Sequence, residues 1–253
     1  MRDRIFLLTD EFEAAETLSH ETYALAMRAG NRTVRASASS VLGHIALIRA
    51  DYAAAKRWAE ESMEIILALG NYANAGNAAA TALMASLMLE SHSSTGRYVD
   101  LINQATGPSN DVGLNSHIIG HALLAAGELA HAERRAELAY ERAGGRLREL
   151  HACLALGNVK AESPPSWGEA ERLYDRAGQL AEQLGARSSN AFVLQGRGEL
   201  AMTQGDLENG VRLLQQAAEM FHNLRMPHYA LRTESALTTA AISEDRPPER
   251  LHS

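Results

Sequence analysis

Histidine is the residue type in this chain whose spacing most invites a chemical role. His117 and His121 lie four residues apart, so on a helix their imidazoles project from one face, one turn apart. That spacing can hold a metal such as zinc. The glutamate of the metalloprotease motif is absent, because residue 118 is Ile. We expect no bound metal and no cofactor, and keep His117 and His121 as the metal-ligand candidates. A third ligand would come from His151, Glu162, His44 or Glu199.

Other reactive residue types lack the neighbours that chemistry requires. Cys153 is the only cysteine, which excludes an internal disulfide and a thiolate metal cluster. It lies two residues from His151, and positions i and i+2 of a helix do not face each other. Cys153 is therefore interpreted as a small buried residue. Gly196 and Gly198 do not follow a strand, so they form no dinucleotide-binding motif. We find no catalytic motif and predict that the chain is not an enzyme.

Composition narrows the class of protein. The 253 residues carry 24 basic and 31 acidic side chains, which argues against binding the phosphate backbone of nucleic acids. No run approaches the ~20 apolar residues of a membrane-spanning helix, and the N-terminal apolar stretch is too short for a signal peptide. We expect a soluble cytoplasmic protein without a nucleic-acid or membrane partner. The composition is 46% hydrophobic but 5% aromatic and rich in Ala and Leu, which favours helices.

Glycines recur along the chain with a period of 37 to 41 residues. Each follows an amphipathic stretch, where glycine ends a helix by adopting the left-handed conformation without steric cost. A second series lies thirteen residues further on, inside segments that otherwise favour helix. A glycine in mid-helix costs about 1 kcal/mol relative to Ala, so its recurrence predicts close packing of a neighbouring helix. The first series is Gly30, Gly70, Gly107, Gly144 and Gly185. Four of the five positions in the second series are glycine, namely Gly43, Gly120, Gly157 and Gly198, and the remaining position is Leu83.

The pattern resembles the tetratricopeptide repeat (TPR). The family's Leu-Gly pair in the first helix is matched at Leu42-Gly43 and Leu156-Gly157. Its turn is matched at Ala50-Asp51-Tyr52 and Gly205-Asp206-Leu207. The family's standard period is ~34 residues; the longer period here is similar to that of MalT-like LuxR regulators and ATPase-linked adenylyl cyclases. The resemblance implies an all-α, right-handed superhelical solenoid of antiparallel helix pairs, with about five to six repeats.

We predict one solenoid over residues 1–253. Only a short segment precedes the first amphipathic stretch, so either the chain is a piece of a longer protein or the solenoid has a nonstandard cap. The expected divisions are a partial first repeat at 9–30, repeats at 31–70, 71–107, 108–144, 145–185 and 186–225, a closing helix at 226–243 and a tail at 244–253.

In the resembling family the first helix of each pair lines a concave groove. The matching positions here are mostly apolar or uncharged, with several histidines and methionines, and methionine suits adaptable binding surfaces. They include no Lys or Arg, which argues against the TPR groove that clamps a C-terminal carboxylate. The candidate groove residues are His44, Leu47, Met84, Met88, His117, His121, His151, Asn158, Phe192, Gln195 and Glu199.

The leading functional hypothesis is a binding scaffold or regulatory sensor that holds a protein or peptide in this groove. The resemblance implies a role in bacterial signalling or transcription regulation, with a signalling ATPase or regulator as a fused or separate partner. One alternative is a small-molecule or metal sensor, or an enzyme, with a histidine-lined pocket. Another is an oligomerisation module, with a homodimer formed through the incomplete N-terminal end.

Overall fold

The computed structural model describes residues 10–72, 75–105 and 116–244. Over these residues the chain forms twelve α-helices and no β-strand. Short 3-10 helices at His92–Ser94 and Pro164–Ser166 precede two of them. The helices are α1 Phe12–Ala29, α2 Arg32–Ile48, α3 Tyr52–Ala68, α4 Ala75–Met88, α5 Thr95–Gln104, α6 Ser116–Ala125, α7 Leu129–Glu141, α8 Arg146–Ala161, α9 Trp167–Leu184, α10 Arg187–Gln204, α11 Leu207–Asn223 and α12 Pro227–Glu244.

Consecutive helices pack as pairs, with α2 against α3, α4 against α5, and so on to α10 against α11. The first helix of each pair also contacts the first helix of the next, so α2, α4, α6, α8 and α10 form one continuous inner layer. Helix α1 packs on α2, and α12 packs on α11 and α10. The prediction of an all-α fold of stacked helix pairs is confirmed. The division of the chain into repeats with the boundaries given above stays a prediction.

Glycines of the first series end helices where the backbone requires a left-handed residue. Gly30 ends α1 at φ 64° and Gly185 ends α9 at φ 65°, as predicted. The expected stop at Gly144 is wrong, because α7 already ends at Glu141 and the glycine with positive φ there is Gly145, at φ 95°, directly before α8. Gly107 lies outside the described residues.

Glycines of the second series mark close contacts between helices. A Cβ at Gly43 would lie 3.1 Å from the backbone nitrogen of Ala59 on the paired helix. A Cβ at Gly198 would lie 2.8 Å from Cγ of Leu214. The predicted close approach is confirmed at both positions. At Gly120 the nearest atom of the neighbouring helix is 3.6 Å away, which is ordinary contact.

The array curls until its two ends meet. The Asp10 carboxylate accepts a hydrogen bond at 3.0 Å from the backbone N–H of Ser188, in the first turn of α10. On α12, Nδ1 of His228 lies 3.2 Å from the hydroxyl of Tyr52 on α3. Helix α12 also contacts α2 directly. The N-terminal part of the array therefore meets its C-terminal part and closes a ring.

Arg225, directly before α12, adds charge to this junction. Its guanidinium forms an ion pair with Glu13 of α1, and its carbonyl accepts a hydrogen bond at 3.0 Å from the Arg49 guanidinium. We call the contacts of Asp10, Glu13, Arg49 and Tyr52 with Ser188, Arg225 and His228 the seam. The seam closes the inner face on one side, which decides how the candidate groove residues are exposed.

No helix of the described residues has both the length and the apolar character needed to cross a membrane. The interior instead consists of side chains shared between the layers. Tyr98, Tyr174 and Phe221 are among the largest side chains that are fully buried.

Candidate functional site

The candidate groove residues lie on the inner layer, and most of them are enclosed. Met88 is the exception, with 47% of its surface exposed. The others are buried or half-buried, because the seam and α12 cover much of the inner face. The buried members are Leu47, Met84, His117, His121, His151, Phe192 and Gln195, and the half-buried members are His44, Asn158 and Glu199.

Three of the predicted histidines meet around a small cavity. His44, His117 and His151 line a space of about 40 Å³, together with Ser188 and Ser189 at the start of α10. The rings of His117 and His151 lie 4.6 Å apart, centroid to centroid. A polar cavity of this size has room for a water molecule. We call it the histidine cavity.

The histidine cavity favours neutral imidazoles. Burial lowers the pKa of His44 to about 4, and repulsion from His228 and His151 acts in the same direction. Burial also holds the pKa of His117 well below its usual range. Nδ1 of His117 is buried without a hydrogen-bond partner. Leaving such an atom unsatisfied costs about 1–3 kcal/mol, so the cavity wall favours a polar guest.

His121 lies one helical turn from His117 but in a different environment. Its Nδ1 lies 3.1 Å from the guanidinium of Arg232 on α12, and its Nε2 lies 3.1 Å from the side-chain amide of Asn158 on α8. Among the described residues, no group of three or more His, Cys, Asp or Glu side chains is arranged to hold a metal. The metal interpretation of His117 and His121 therefore finds no third ligand there.

His121 lines a cleft of about 370 Å³ that we call the polar cleft. Helices α6, α8, α9, α10 and α12 all contribute to it, so the cleft depends on the curvature of the whole array. Its polar lining is His121, Asn158, Glu162, Tyr174, Glu199, Thr203 and Arg232, and its apolar lining includes Leu124, Trp167 and Leu200.

A chain of hydrogen-bonding side chains crosses the floor of the polar cleft. The hydroxyl of Tyr174 donates to Oδ1 of Asn158 at 2.9 Å. The Asn158 amide nitrogen lies within hydrogen-bond distance of Nε2 of His121, and the Arg232 guanidinium within hydrogen-bond distance of its Nδ1. A neutral imidazole has only one acceptor nitrogen. Either the Asn158 amide is turned by 180°, with its oxygen toward His121, or His121 satisfies one donor at a time. In both cases the ring does not neutralise Arg232, because burial and the Arg232 charge hold the pKa of His121 well below its usual range.

Carboxylates stand at the other end of this chain. Glu199 is half-buried and accepts a hydrogen bond at 2.9 Å from the Gln195 amide, whereas Glu162 is exposed. Burial, with the charges of Glu199 and Glu162, raises the pKa of Tyr174 well above its usual value. No ion pair among the described residues joins Arg232 to either carboxylate. The cleft therefore has a cationic side and an anionic side.

Phe192 lines the histidine cavity and packs against both His117 and His121. Its ring centroid lies 5.3 Å from that of His117 and 6.1 Å from that of His121. It also packs edge-on against Tyr229 of α12, at 4.6 Å between centroids. Sequence reasoning placed this ring in the groove; the structure leaves only 7% of Phe192 exposed.

Sequence reasoning missed the residues that second helices and α12 bring to the inner face. Arg232 of α12 lines the polar cleft, although the groove positions predicted from the first helices include no Lys or Arg. Tyr174 and Trp167 come from α9, a second helix. The groove positions were taken from first helices alone, and no repeat signal indicates how far the closing helix folds back.

Cys153 behaves as the sequence indicates. It is fully buried, and burial raises the pKa of its thiol to about 11. A thiol with so high a pKa is a poor nucleophile near neutral pH. The interpretation of Cys153 as a buried structural residue is confirmed.

No protein-family model matches the chain, and no curated protein matches it. Among solved structures, the chain is similar to the crystal structure of a Rap protein complexed with Competence and Sporulation Factor. The TM-score is 0.57 at 13% sequence identity, over 97% of this chain and 74% of that chain. The fold is a TPR-like helical-repeat solenoid. At this identity the likeness establishes the architecture alone, and in this TPR-like chain the site must be argued from its own residues.

Proposed function

We propose that this TPR-like chain is a binding scaffold that holds a protein or peptide partner in its polar cleft. The cleft itself carries the proposal: it is a concave site of about 370 Å³ where polar groups from five helices converge around apolar walls. The similar Rap protein was crystallised with Competence and Sporulation Factor, which supports a binding role for this architecture.

The long repeat period supports a more specific role. Because it resembles that of MalT-like regulators, we propose that the scaffold works in bacterial signalling or transcription regulation in the cytoplasm. Its partner would be a signalling ATPase or regulator, fused or separate. The homodimer through the N-terminal end stays a prediction of the sequence.

A small ligand in the polar cleft is the second candidate. The cleft volume of about 370 Å³ falls within the ~300–1,000 Å³ typical of small-molecule sites. Catalysis is less well supported, because His121 already contacts Asn158 and Arg232. Cys153 is buried and does not line the cleft.

Blocking the cleft tests the proposed function. Thr203 is exposed on the cleft wall, so Thr203→Trp fills the space without disturbing a buried contact. The matched control is Ala53→Trp, at an exposed position of α3 outside the cleft. A displayed library of random short peptides is selected on the wild type, and the enriched peptides are measured by fluorescence anisotropy.

We expect Thr203→Trp to weaken the selected peptides by at least about tenfold, which is ~1.4 kcal/mol, and Ala53→Trp to bind as the wild type does. The proposal fails if no peptide is enriched. It also fails if the enriched peptides bind both variants equally well.

A further inference from the structure

We propose that the polar cleft recognises a peptide segment that carries both an acidic and a basic group, the acidic group at Arg232 and the basic group at Glu199 and Glu162. This inference rests on the proposed function and specifies the chemistry of its partner. It follows from charges that the described residues place in one cleft but do not pair with each other.

Arg232 is a cation with donors to spare. A guanidinium has five N–H donors, and the described hydrogen bond of Arg232 uses one of them, toward Nδ1 of His121. None of the ion pairs among the described residues includes Arg232. Its side chain is half-buried at the cleft wall, where water screens a charge less than at an open surface. A carboxylate, which can accept two parallel N–H bonds, is the ligand group that this geometry lacks.

Glu199 and Glu162 supply the opposite requirement. The Glu199 carboxylate accepts one neutral hydrogen bond, from Gln195, and Glu162 forms no described ion pair. Both carboxylates line the cleft near Tyr174, and the negative charge of each raises the pKa of the Tyr174 hydroxyl. Two carboxylates near one another favour a bound cation, and an ammonium or guanidinium can bridge them.

The floor of the cleft explains why these charges do not neutralise each other. His121 and Asn158 lie between Arg232 and Tyr174 as neutral links of the hydrogen-bonding chain. A ligand that spans this floor meets positive charge at one end and negative charge at the other. A purely acidic peptide would be repelled by Glu199 and Glu162, and a purely basic one by Arg232, so the arrangement selects for both charges.

The walls favour an extended peptide over other ampholytes. Leu124 and Trp167 line the cleft beside the polar floor and offer apolar area to a side chain between the two charged groups. The indole N–H of Trp167 is already satisfied by the Ala161 carbonyl at 3.0 Å, so this ring contributes mainly apolar surface. Such a pocket between two charged positions fits a chain of alternating side chains.

The test uses four arrayed sets of short peptides with acetylated and amidated ends, so that all charge resides in side chains. The variable positions contain uncharged residues only, or additionally Asp and Glu, or Lys and Arg, or all four. Binding of each set is measured on the wild type, Arg232→Gln and Glu199→Gln. The matched control is Arg134→Gln, at an exposed arginine of α7 outside the cleft.

For the wild type we expect the doubly charged set to bind about tenfold more tightly than the uncharged set. Arg232→Gln should lose only the preference for acidic residues. Glu199→Gln should lose only the preference for basic residues. Arg232→Lys should keep an acidic preference in weakened form, because a point charge replaces the guanidinium fork. Arg134→Gln should retain both preferences.

If the charged and uncharged sets bind equally well, the inference is overturned. If Thr203→Trp still blocks that binding, the proposed function remains supported. Unchanged preferences in Arg232→Gln or Glu199→Gln likewise overturn the inference. If no set binds, or if Thr203→Trp blocks none of the binding, the proposed function itself fails, and the inference with it.

Discussion

The histidine cavity and the polar cleft place the same residue type in two different environments. His117 and His121 lie one turn apart on α6, yet His117 faces the rings of His151 and Phe192 while His121 faces an amide and a guanidinium. The cavity encloses about 40 Å³ and the cleft about 370 Å³. Residue type and helical phase therefore do not assign a role; the neighbouring helices do.

Removing the ring that contacts both His117 and His121 is expected to have the largest effect. Phe192→Ala should lower the free energy of unfolding by about 3–5 kcal/mol, the usual cost of deleting a buried phenyl ring. Urea unfolding at neutral pH measures the change. Tyr140→Ala, at an aromatic residue that is 46% exposed, should stay within about 0.5 kcal/mol of the wild type. A loss below about 1 kcal/mol in Phe192→Ala would show that the Phe192 ring is not packed as described.

Acid should distinguish the neutral histidines of the cavity from surface histidines. His44 has its pKa lowered to about 4 in the folded state and regains an ordinary value near 6.5 on unfolding. Its contribution to stability is therefore present above about pH 6.5 and is lost as the pH falls toward 4, on the order of 2–3 kcal/mol. The measurement is the free energy of unfolding by urea across this range.

His44→Gln should flatten this pH dependence relative to the wild type. His92→Gln is the matched control, because His92 is exposed on a short 3-10 helix. The carboxylates are the same in both variants, so the difference between the two slopes isolates the contribution of the His44 ring. Identical slopes for the two variants would contradict the neutral histidine cavity.

A smaller effect tests how rigidly the floor of the polar cleft is held. A Cβ at Gly196 would lie 2.6–2.8 Å from Cε1, Cζ and the hydroxyl oxygen of Tyr174, whose side chain is buried. Gly196→Ala should destabilise the protein by about 1–2 kcal/mol, because overpacking outweighs the gain in helix propensity. Gly168 is a helical glycine where an added Cβ would meet no atom of a neighbouring element within 4 Å. Gly168→Ala should therefore stabilise the protein by up to ~1 kcal/mol. Thermal melting compares the two, and equal stabilisation of both would mean that Tyr174 is mobile.

Much of the fold was predictable because its signals are local. Asp51 and Asp206 accept hydrogen bonds from the backbone N–H of Ala54 and Asn209, so the turns inferred from these aspartates also cap the following helices. Local signals also mislead. Ser166 and Glu169 suggest a capping box, but Ser166 makes no side-chain hydrogen bond at the start of α9.

The site was less predictable because it depends on curvature. Each repeat shows which face of its first helix turns inward, and this placed His121, Asn158 and Glu199 near one another. No repeat encodes how far the array has turned after five pairs, since small rotations between neighbours accumulate. That accumulated rotation brings Arg232 of α12 to His121 and Tyr52 of α3 to His228.

The seam also changes how this fold should assemble. In an open solenoid each repeat touches only its neighbours, so folding starts anywhere, spreads along the array and frays at its ends. Here contacts between residues 176 to 178 positions apart join Asp10, Arg49 and Tyr52 near the start of the array to Ser188, Arg225 and His228 near its end. Such distant contacts form slowly, because the intervening chain must first be ordered. We expect ring closure to be the last folding step and to make unfolding cooperative, because the seam ties the early helices of the described array to its late helices.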